Sequence, residues 1–268
     1  METEPLLQSG EQEIMFLILE MHRLLLAGVQ FLFDLRIVLL GNRAAGKTSL
    51  ANLITGHAEP HLKRTAQCVK MHGDFSGRQV TVVDTPGWWK NYLVKETPEF
   101  QKQEILLSVA HCPPGPHAVL LIIRVDALFK EKHRRSVQEH LELLSERVWN
   151  HTIVVFTYRD QLQEQTLGNE GKALQWLVEK CGNRYHVLNN ENWNDDSQVK
   201  DLLEKIEKMV AQNRGHYYEI DLKTLKEVKQ KRKAVERKAK ARAKKQRQMR
   251  KMDSTMTGKI LVLHNLIP

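Results

Sequence analysis

The sequence predicts an α/β fold, a mostly parallel central sheet flanked by helices, with a C-terminal helical extension. Three observations lead there. Short β-branched and leucine-rich runs alternate with stretches whose apolar residues recur at helical spacing. One of those runs feeds straight into a glycine-bounded loop and then a helix, the setting that a phosphate loop needs. At 268 residues, 41% hydrophobic and 27% charged, the chain can bury a sizeable core in one large domain and still carry an extension.

The net charge of +9 is unevenly spread. Lys223 to Lys251 holds 15 Lys/Arg against only Glu227 and Glu236, a local +13, which leaves the remainder mildly acidic at −4. Cys68, Cys112 and Cys181 lie far apart with no CxxC pair, which excludes a disulfide framework or a cysteine zinc knuckle and fits a reducing cytosol. A divided organisation is expected: an N-terminal segment (1–34), a body (35–213) and a basic extension (214–268).

Ile14 to Phe33 is strongly apolar, yet Glu20, His22 and Arg23 sit at its centre, where ionised groups disfavour a membrane span. The acidic start (Glu2, Glu4, Glu11, Glu13) disfavours a secretory signal. Glu20, Arg23, Ala27 and Gln30 line one narrow helical stripe, so the segment reads as an amphipathic helix suited to its own domain, a partner or a membrane interface.

Leu35 to Leu40 (LRIVLL) predicts a strand buried on both faces. It runs into Gly41-Asn42-Arg43-Ala44-Ala45-Gly46-Lys47-Thr48, followed by Ser49 and a helical run, Leu50 to Ile54. This is GxxxxGK[ST]. The glycines let the backbone curl so that N–H groups face phosphate oxygens, and the helix start adds partial positive charge. Lys47 is placed to reach the β- and γ-phosphates and the Thr48 hydroxyl to bind magnesium. The bare pattern arises by chance in roughly one chain in a hundred of this length. Its strand–loop–helix setting makes a nucleoside triphosphate site the strong reading.

Gln79 to Val83 predicts another strand, ending in Asp84-Thr85-Pro86-Gly87. Asp84 is placed to hold magnesium through water, and Gly87 to offer its N–H to the γ-phosphate. Thr65 is the candidate hydroxyl of a mobile loop closing over magnesium. His151 to Phe156 predicts a strand leading into Thr157-Tyr158-Arg159-Asp160, where a carboxylate accepts two hydrogen bonds from guanine and finds no such donor pair on adenine. Thr157 and Arg159 depart from the common NKxD wording, so guanine is favoured less strongly than by the full motif. Tyr185 to Asn190 reads as a strand running into a loop, with Asn189 and Asn190 either contacting the base or only making the turn.

In order and wording, RIVLLGNRAAGKTSLANLITG, RTAQCVK, VTVVDTPGWW, CPPGPHAVLLIIRV, IVVFTYRDQL and CGNRYHVLNN resemble the GIMAP family, the GTPases of immunity-associated proteins with an AIG-type G domain. The PGPHA box at Pro114 to Ala118 is its most telling feature. The resemblance covers about Leu35 to Asn213. It implies a P-loop NTPase core of the Ras-like type with an extra helical segment near the second switch, GTP/GDP and Mg2+ as ligands, and nucleotide-linked dimerisation through the switch face. It also implies roles in immune-cell survival or at intracellular membranes.

Efficient hydrolysis needs a group that orients water and positive charge at the transition state. Trp88-Trp89 stand where Ras-like proteins carry a water-positioning Gln, and no obvious substitute follows. Where several relatives place an Arg usable as a finger by a dimer partner, this chain reads Ala127, with Arg124 a few residues off. Arg43 occupies a loop position where other GTPases often need Gly; it could reach phosphate or hinder closure. Slow turnover is expected, raised by self-association. A nucleotide-loaded assembly module with incidental turnover, and an ATP-using P-loop protein, remain as alternatives. Trp88 and Trp89 are expected to be either packed on a neighbouring helix or exposed as a partner surface.

The rest reads as scaffold. Ala118 to Val125 is a near-continuous apolar strand, His133 to Trp149 a helix facing inward with Val137, Leu141, Leu144 and Val148, and Gln198 to Val210 another helix. His111, Cys112 and His117 belong to the PGPHA region and make no convincing zinc site. From about His216 to Met252 the chain lacks both Pro and Gly, predicting a long exposed helix. Its basic run suits an anionic membrane surface or an acidic partner. Without aromatics for stacking it is not expected to recognise nucleic acid specifically. Ile260 to Leu263 is far too short to span a bilayer.

Overall fold

Leu35 to Leu40 lies within strand β1 (Asp34–Gly41), which sits near the middle of a six-stranded sheet in the computed structural model. The structure describes residues 34–57, 66–125, 129–157, 169–189 and 196–264. The N-terminal apolar segment, Thr65, Ala127, Asp160 and Asn190 fall outside them.

The remaining strands are β2 (Val69–Phe75), β3 (Arg78–Asp84), β4 (Ala118–Arg124), β5 (Thr152–Thr157) and β6 (Tyr185–Val187). Their order is β2-β3-β1-β4-β5-β6, with every pairing parallel except the hairpin β2–β3. Helices α1 (Lys47–Thr55), α2 (Glu99–Ser108), α3 (Glu131–Glu142), α4 (Asn169–Lys180) and α5 (Asp196–Gln212) alternate with them. Because β1 and β4 are covered on both faces, they can be apolar throughout: Leu35, Ile37 and Leu39 face one core, Val38 and Leu40 the other. The first core adds α1 and α5, whose Val199, Leu202, Leu203, Ile206, Met209 and Val210 are all buried. The second adds Ile105, Val137, Leu141 and Leu177 from α2, α3 and α4. Full burial of such a side chain stabilises by about 1.5–3 kcal/mol. A buried ion pair spans the first layer: Arg78 donates from Nε and Nη2 to Glu207 at 2.7 and 3.0 Å.

Several elements differ from the sequence expectation. The helix expected over His133 to Trp149 is broken. α3 stops at Glu142, Ser145 takes φ 88°, and a 3-10 turn follows at Glu146–His151. No Gly or Pro announces that break, yet Leu144 and Val148 stay buried because the tighter turn continues along the same side. β2 is not among the expected strands: Met71, Gly73 and Phe75 are half-buried, Met71 and Phe75 against the first core, while Lys70, His72 and Asp74 face solvent, and its turn uses Ser76 and Gly77 in left-handed conformations. β6 covers Tyr185–Val187, with Leu188 and Asn189 outside it, in keeping with a strand that runs into a loop.

The PGPHA box has a structural explanation. A Cβ on Gly115 would lie 2.2 Å from the Tyr218 carbonyl oxygen, so only glycine lets the segment after α5 approach. Tyr218 N–H donates to the Pro116 carbonyl at 2.8 Å, and Arg36 Nε donates to the Gly115 carbonyl at 2.8 Å. His117 packs beside Arg36, and burial pushes its imidazole down to about 4, so it is neutral.

Residues from Asp221 onward form a second compact unit. Its helix α6 runs Leu222–His264, beginning later than His216 and ending beyond Met252. Asp221 fixes the start: its Oδ2 accepts from Thr224 N–H and Oγ1 at 2.8 and 2.9 Å. No helix among the described residues is long and apolar enough to cross a membrane.

Candidate functional site: a phosphate-binding pocket at the ends of β1 and β3

The loop between β1 and α1 is held from outside through its carbonyls. Lys47 Nζ donates to the Gly41 and Asn42 carbonyls at 3.2 and 2.8 Å. Arg124 Nη1 takes the Ala44 carbonyl at 3.2 Å, Thr157 Oγ1 the Ala45 carbonyl at 3.0 Å, and Leu50 N–H the Gly46 carbonyl at 2.9 Å. Ala44 at φ 56° and Gly46 at φ 96° curl the chain. Arg43 N–H is spent on the Trp88 carbonyl at 2.8 Å. The amides of Ala44, Ala45, Gly46, Lys47 and Thr48 have no acceptor among the described residues. With the Ala44, Ala45 and Gly46 carbonyls engaged by Arg124, Thr157 and Leu50, what remains is a set of N–H donors at a helix start, an anion cradle.

Electrostatics agree. Lys47 is 6% exposed, and burial lowers its ammonium to about 8, with Asp84 working against the shift and Arg43 adding to it. Asp84, at the end of β3, is raised by burial, opposed by the Thr48 hydroxyl and Lys47. Its Oδ2 accepts from Thr48 Oγ1 at 2.6 Å, and its Oδ1 is buried with no hydrogen-bond partner. A hydroxyl and a carboxylate with an unsatisfied buried oxygen form a hard-oxygen donor set that fits Mg2+. The ammonium and free amides fit a polyphosphate. When bound, the metal would supply charge neutralisation across phosphate oxygens.

Gly87 closes the other side. A Cβ there would lie 2.6 Å from Lys47 Nζ and 2.7 Å from Arg43 N, so any side chain would fill the space beside the ammonium. The resulting cavity, about 400 Å³, is lined by Lys47, Thr48, Thr85, Gly87, Phe100 and Gln101 among others. The two tryptophans after Gly87 have opposite fates. Trp88 is fully buried, stacked on His140 with centroids 4.4 Å apart and planes 3° apart. Trp89 is 49% exposed, its ring 6.4 Å from that of exposed Tyr92, with the Arg43 guanidinium 4.1 Å from its ring centroid.

Of the residues expected to form the site, Gly41 to Thr48, Asp84 and Gly87 come together here. Ser49 is exposed in the first turn of α1. Thr157 is fully buried and holds the loop through Ala45. Asn189 exchanges backbone hydrogen bonds with the Gln198 amide at 2.6 and 3.4 Å. Thr65, Asp160 and Asn190 lie outside the described residues. Gln101 is not among the residues expected from sequence: its amide donates to the Gly87 carbonyl from α2. No sequence signal singles it out, since Gln103 and Glu104 of the same helix are buried polar residues too.

Comparison with known proteins gives this arrangement a lineage. The chain is 31% identical over 196 residues to GTPase IMAP family member 8 of Rattus norvegicus, covering 69% of this chain and 28% of that protein. It is 30% identical over 202 residues to immune-associated nucleotide-binding protein 13 of Arabidopsis thaliana, covering 69% and 59%. The chain thus spans less than two thirds of these relatives. Among solved structures, Toc33 from Arabidopsis thaliana in complex with GDP and Mg2+ superposes with a TM-score of 0.52 at 15% identity, covering 71% of this chain and 89% of that one. A dimerisation-deficient mutant of Toc33 gives 0.54 at 14%, covering 70% and 88%. That likeness identifies a shared Ras-like G-domain fold. The model of the AIG1 family matches residues 35–240, and the chain belongs to that family.

Proposed function

We propose that this chain is a guanine-nucleotide-binding protein that holds GTP or GDP with Mg2+, turns GTP over slowly, and pairs with a second copy through its nucleotide and switch face. The observation that carries the reading is the buried Lys47 ammonium beneath uncommitted loop amides, facing the Thr48–Asp84 pair. In this reading the amides of Ala44 to Ser49 and Gly87, with Lys47, hold phosphates, the Arg43 side chain stands beside them, and Gly41, Asn42 and Gly46 shape the loop. Thr48, Thr65 and Asp84 serve the metal; Asp160 selects guanine; Thr157, Asn189 and Asn190 support the base side. Residues 35–213 form the nucleotide domain, 1–34 an amphipathic segment and 214–268 an extension whose basic run lies on an anionic membrane surface or an acidic partner.

Pairing is supported by exposed aromatics near the pocket: Phe100 lines it, and Trp89, beside Tyr92, stacks with the Arg43 guanidinium that also lines it. Toc33, which shares the fold, binds GDP and Mg2+ and has a dimerisation-deficient mutant. A second reading, a GTP-loaded assembly scaffold at intracellular membranes that does not hydrolyse, draws support from the two tryptophans that fill the positions after Gly87, where neither side chain can accept a hydrogen bond. Sedimentation in GTP and in GDP, run beside phosphate release, separates them. Dimers that dissociate as phosphate appears support the switch; GTP-locked dimers without release support the scaffold.

A further inference from the structure

Hydrolysis at this pocket needs a hydrogen-bond acceptor that turns an attacking water toward the terminal phosphate. The two residues after Gly87 provide none, since Trp88 is buried against His140 and Trp89 stacks under Arg43. Most polar side chains lining the cavity are already committed. Lys47 and Arg43 are donors only. Thr48 donates to Asp84, and Thr85 Oγ1 donates to the Leu39 carbonyl at 2.6 Å. Both hydroxyls are thereby turned toward protein acceptors, and among the described lining side chains the amide carbonyl acceptor is that of Gln101.

Its placement is specific. α2 begins directly after Pro98, and Gln101 shares its inward side with Ile105 and Ser108. Only 7% of Gln101 is exposed, a costly address for an amide where Leu or Met would bury more favourably. Gln101 Nε2 donates to the Gly87 carbonyl, which also accepts from Arg43 Nε at 3.3 Å. That bond fixes the amide and leaves Oε1 as the acceptor Gln101 offers to the cavity.

We propose that Gln101 is the catalytic residue that orients the nucleophilic water, supplied from α2 rather than from the turn after Gly87. The proposal rests on the reading that this pocket takes GTP. The water oxygen forms a bond to Pγ, the bond from Pγ to the β–γ bridging oxygen breaks, and its electron pair leaves on GDP. The water proton passes to a phosphoryl oxygen. Gln101 accepts a hydrogen bond from that water throughout and is neither protonated nor consumed.

The test uses the full chain and Gln101→Met, which keeps the buried volume and removes the acceptor, beside Gln101→Asn, which keeps the amide but shortens its reach. Single-turnover GTP hydrolysis is expected to fall about 30- to 100-fold in both. Affinities for GDP and for a non-hydrolysable GTP analogue should stay within about threefold of the parent, and thermal melting should not fall. Capture of GDP with aluminium fluoride, a mimic of the transferring phosphoryl group, should be lost with the rate. Unchanged hydrolysis in Gln101→Met overturns the proposal, as does a parallel fall in analogue affinity, which would mark a merely structural hold on Gly87. A parent chain that binds GTP without hydrolysing it overturns it too. A parent that binds no guanine nucleotide instead defeats the underlying reading of the pocket.

Discussion

Arg43 and Trp89 meet across the mouth of the phosphate pocket, guanidinium over indole at 4.1 Å from the ring centroid. With the Gly87 carbonyl also engaged by Arg43, the contact ties the phosphate loop to the segment after the second motif. It keeps a cation beside the place where phosphate charge would arrive, and it leaves much of Trp89 in solvent. Trp89→Ala should therefore weaken self-association in the triphosphate state by about tenfold, the behaviour of an interface aromatic. Affinity for GDP should barely change. Sedimentation and nucleotide titration of one preparation check both halves; full-strength dimerisation would remove Trp89 from the interface.

Trp88, one residue earlier, behaves differently because it is core. Trp88→Ala deletes a fully buried ring stacked on His140 and should cost about 3–5 kcal/mol of stability. Trp89→Ala should cost less than about 1 kcal/mol. Urea unfolding of the two variants compares them directly, and equal losses would contradict the opposite environments of the neighbouring rings.

Lys47 makes nucleotide binding pH-dependent. Burial holds its ammonium at about 8 in the free chain, and phosphate charge raises it on binding. The bound state therefore holds more protons than the free state above about pH 8, so affinity falls as pH rises through that value. Below it both states are protonated and the effect vanishes. GDP titrations from about pH 7 to about pH 9.5, each in two buffers of different ionisation enthalpy, should show proton uptake growing above about pH 8. Proton release there would reverse the assigned sign.

Asp84→Asn preserves shape while removing the carboxylate charge that faces Thr48. The Mg2+-dependent gain in GTP affinity should shrink by about tenfold, within the range seen for groups supporting a metal. Binding measured in chelator should change little. Equal Mg2+ dependence in variant and parent would mean the metal is held elsewhere.

Much of this was legible in the sequence because it rests on local rules. β1 and β4 announce themselves by unbroken apolar runs, since both of their faces are covered. The phosphate loop is legible because backbone curvature requires its glycines and the cradle requires Lys47 and Thr48. What stayed hidden depends on contacts between distant segments. Ser145 breaks a helix without Gly or Pro, held by its surroundings rather than by propensity. β2 lies on the margin of the sheet, its Met71 and Phe75 only half-buried against the core, and joins β3 through contacts such as Thr81–His72 that bridge separate strands. Gln101 lies 14 positions beyond Gly87 and reads as one more polar residue of an amphipathic helix until α2 is laid against the pocket. The opposite environments of Trp88 and Trp89 likewise need the position of α3, because identical side chains carry no signal of which is covered.

Calorimetric titration of the full chain with GDP and GTP in Mg2+, with ATP as the competing purine, tests the central claim most directly. Saturable binding of both guanine nucleotides at one site per chain is predicted, with ATP at least about tenfold weaker and all binding lost in Lys47→Ala. No saturable heat with either guanine nucleotide, or undiminished binding by Lys47→Ala, would contradict it.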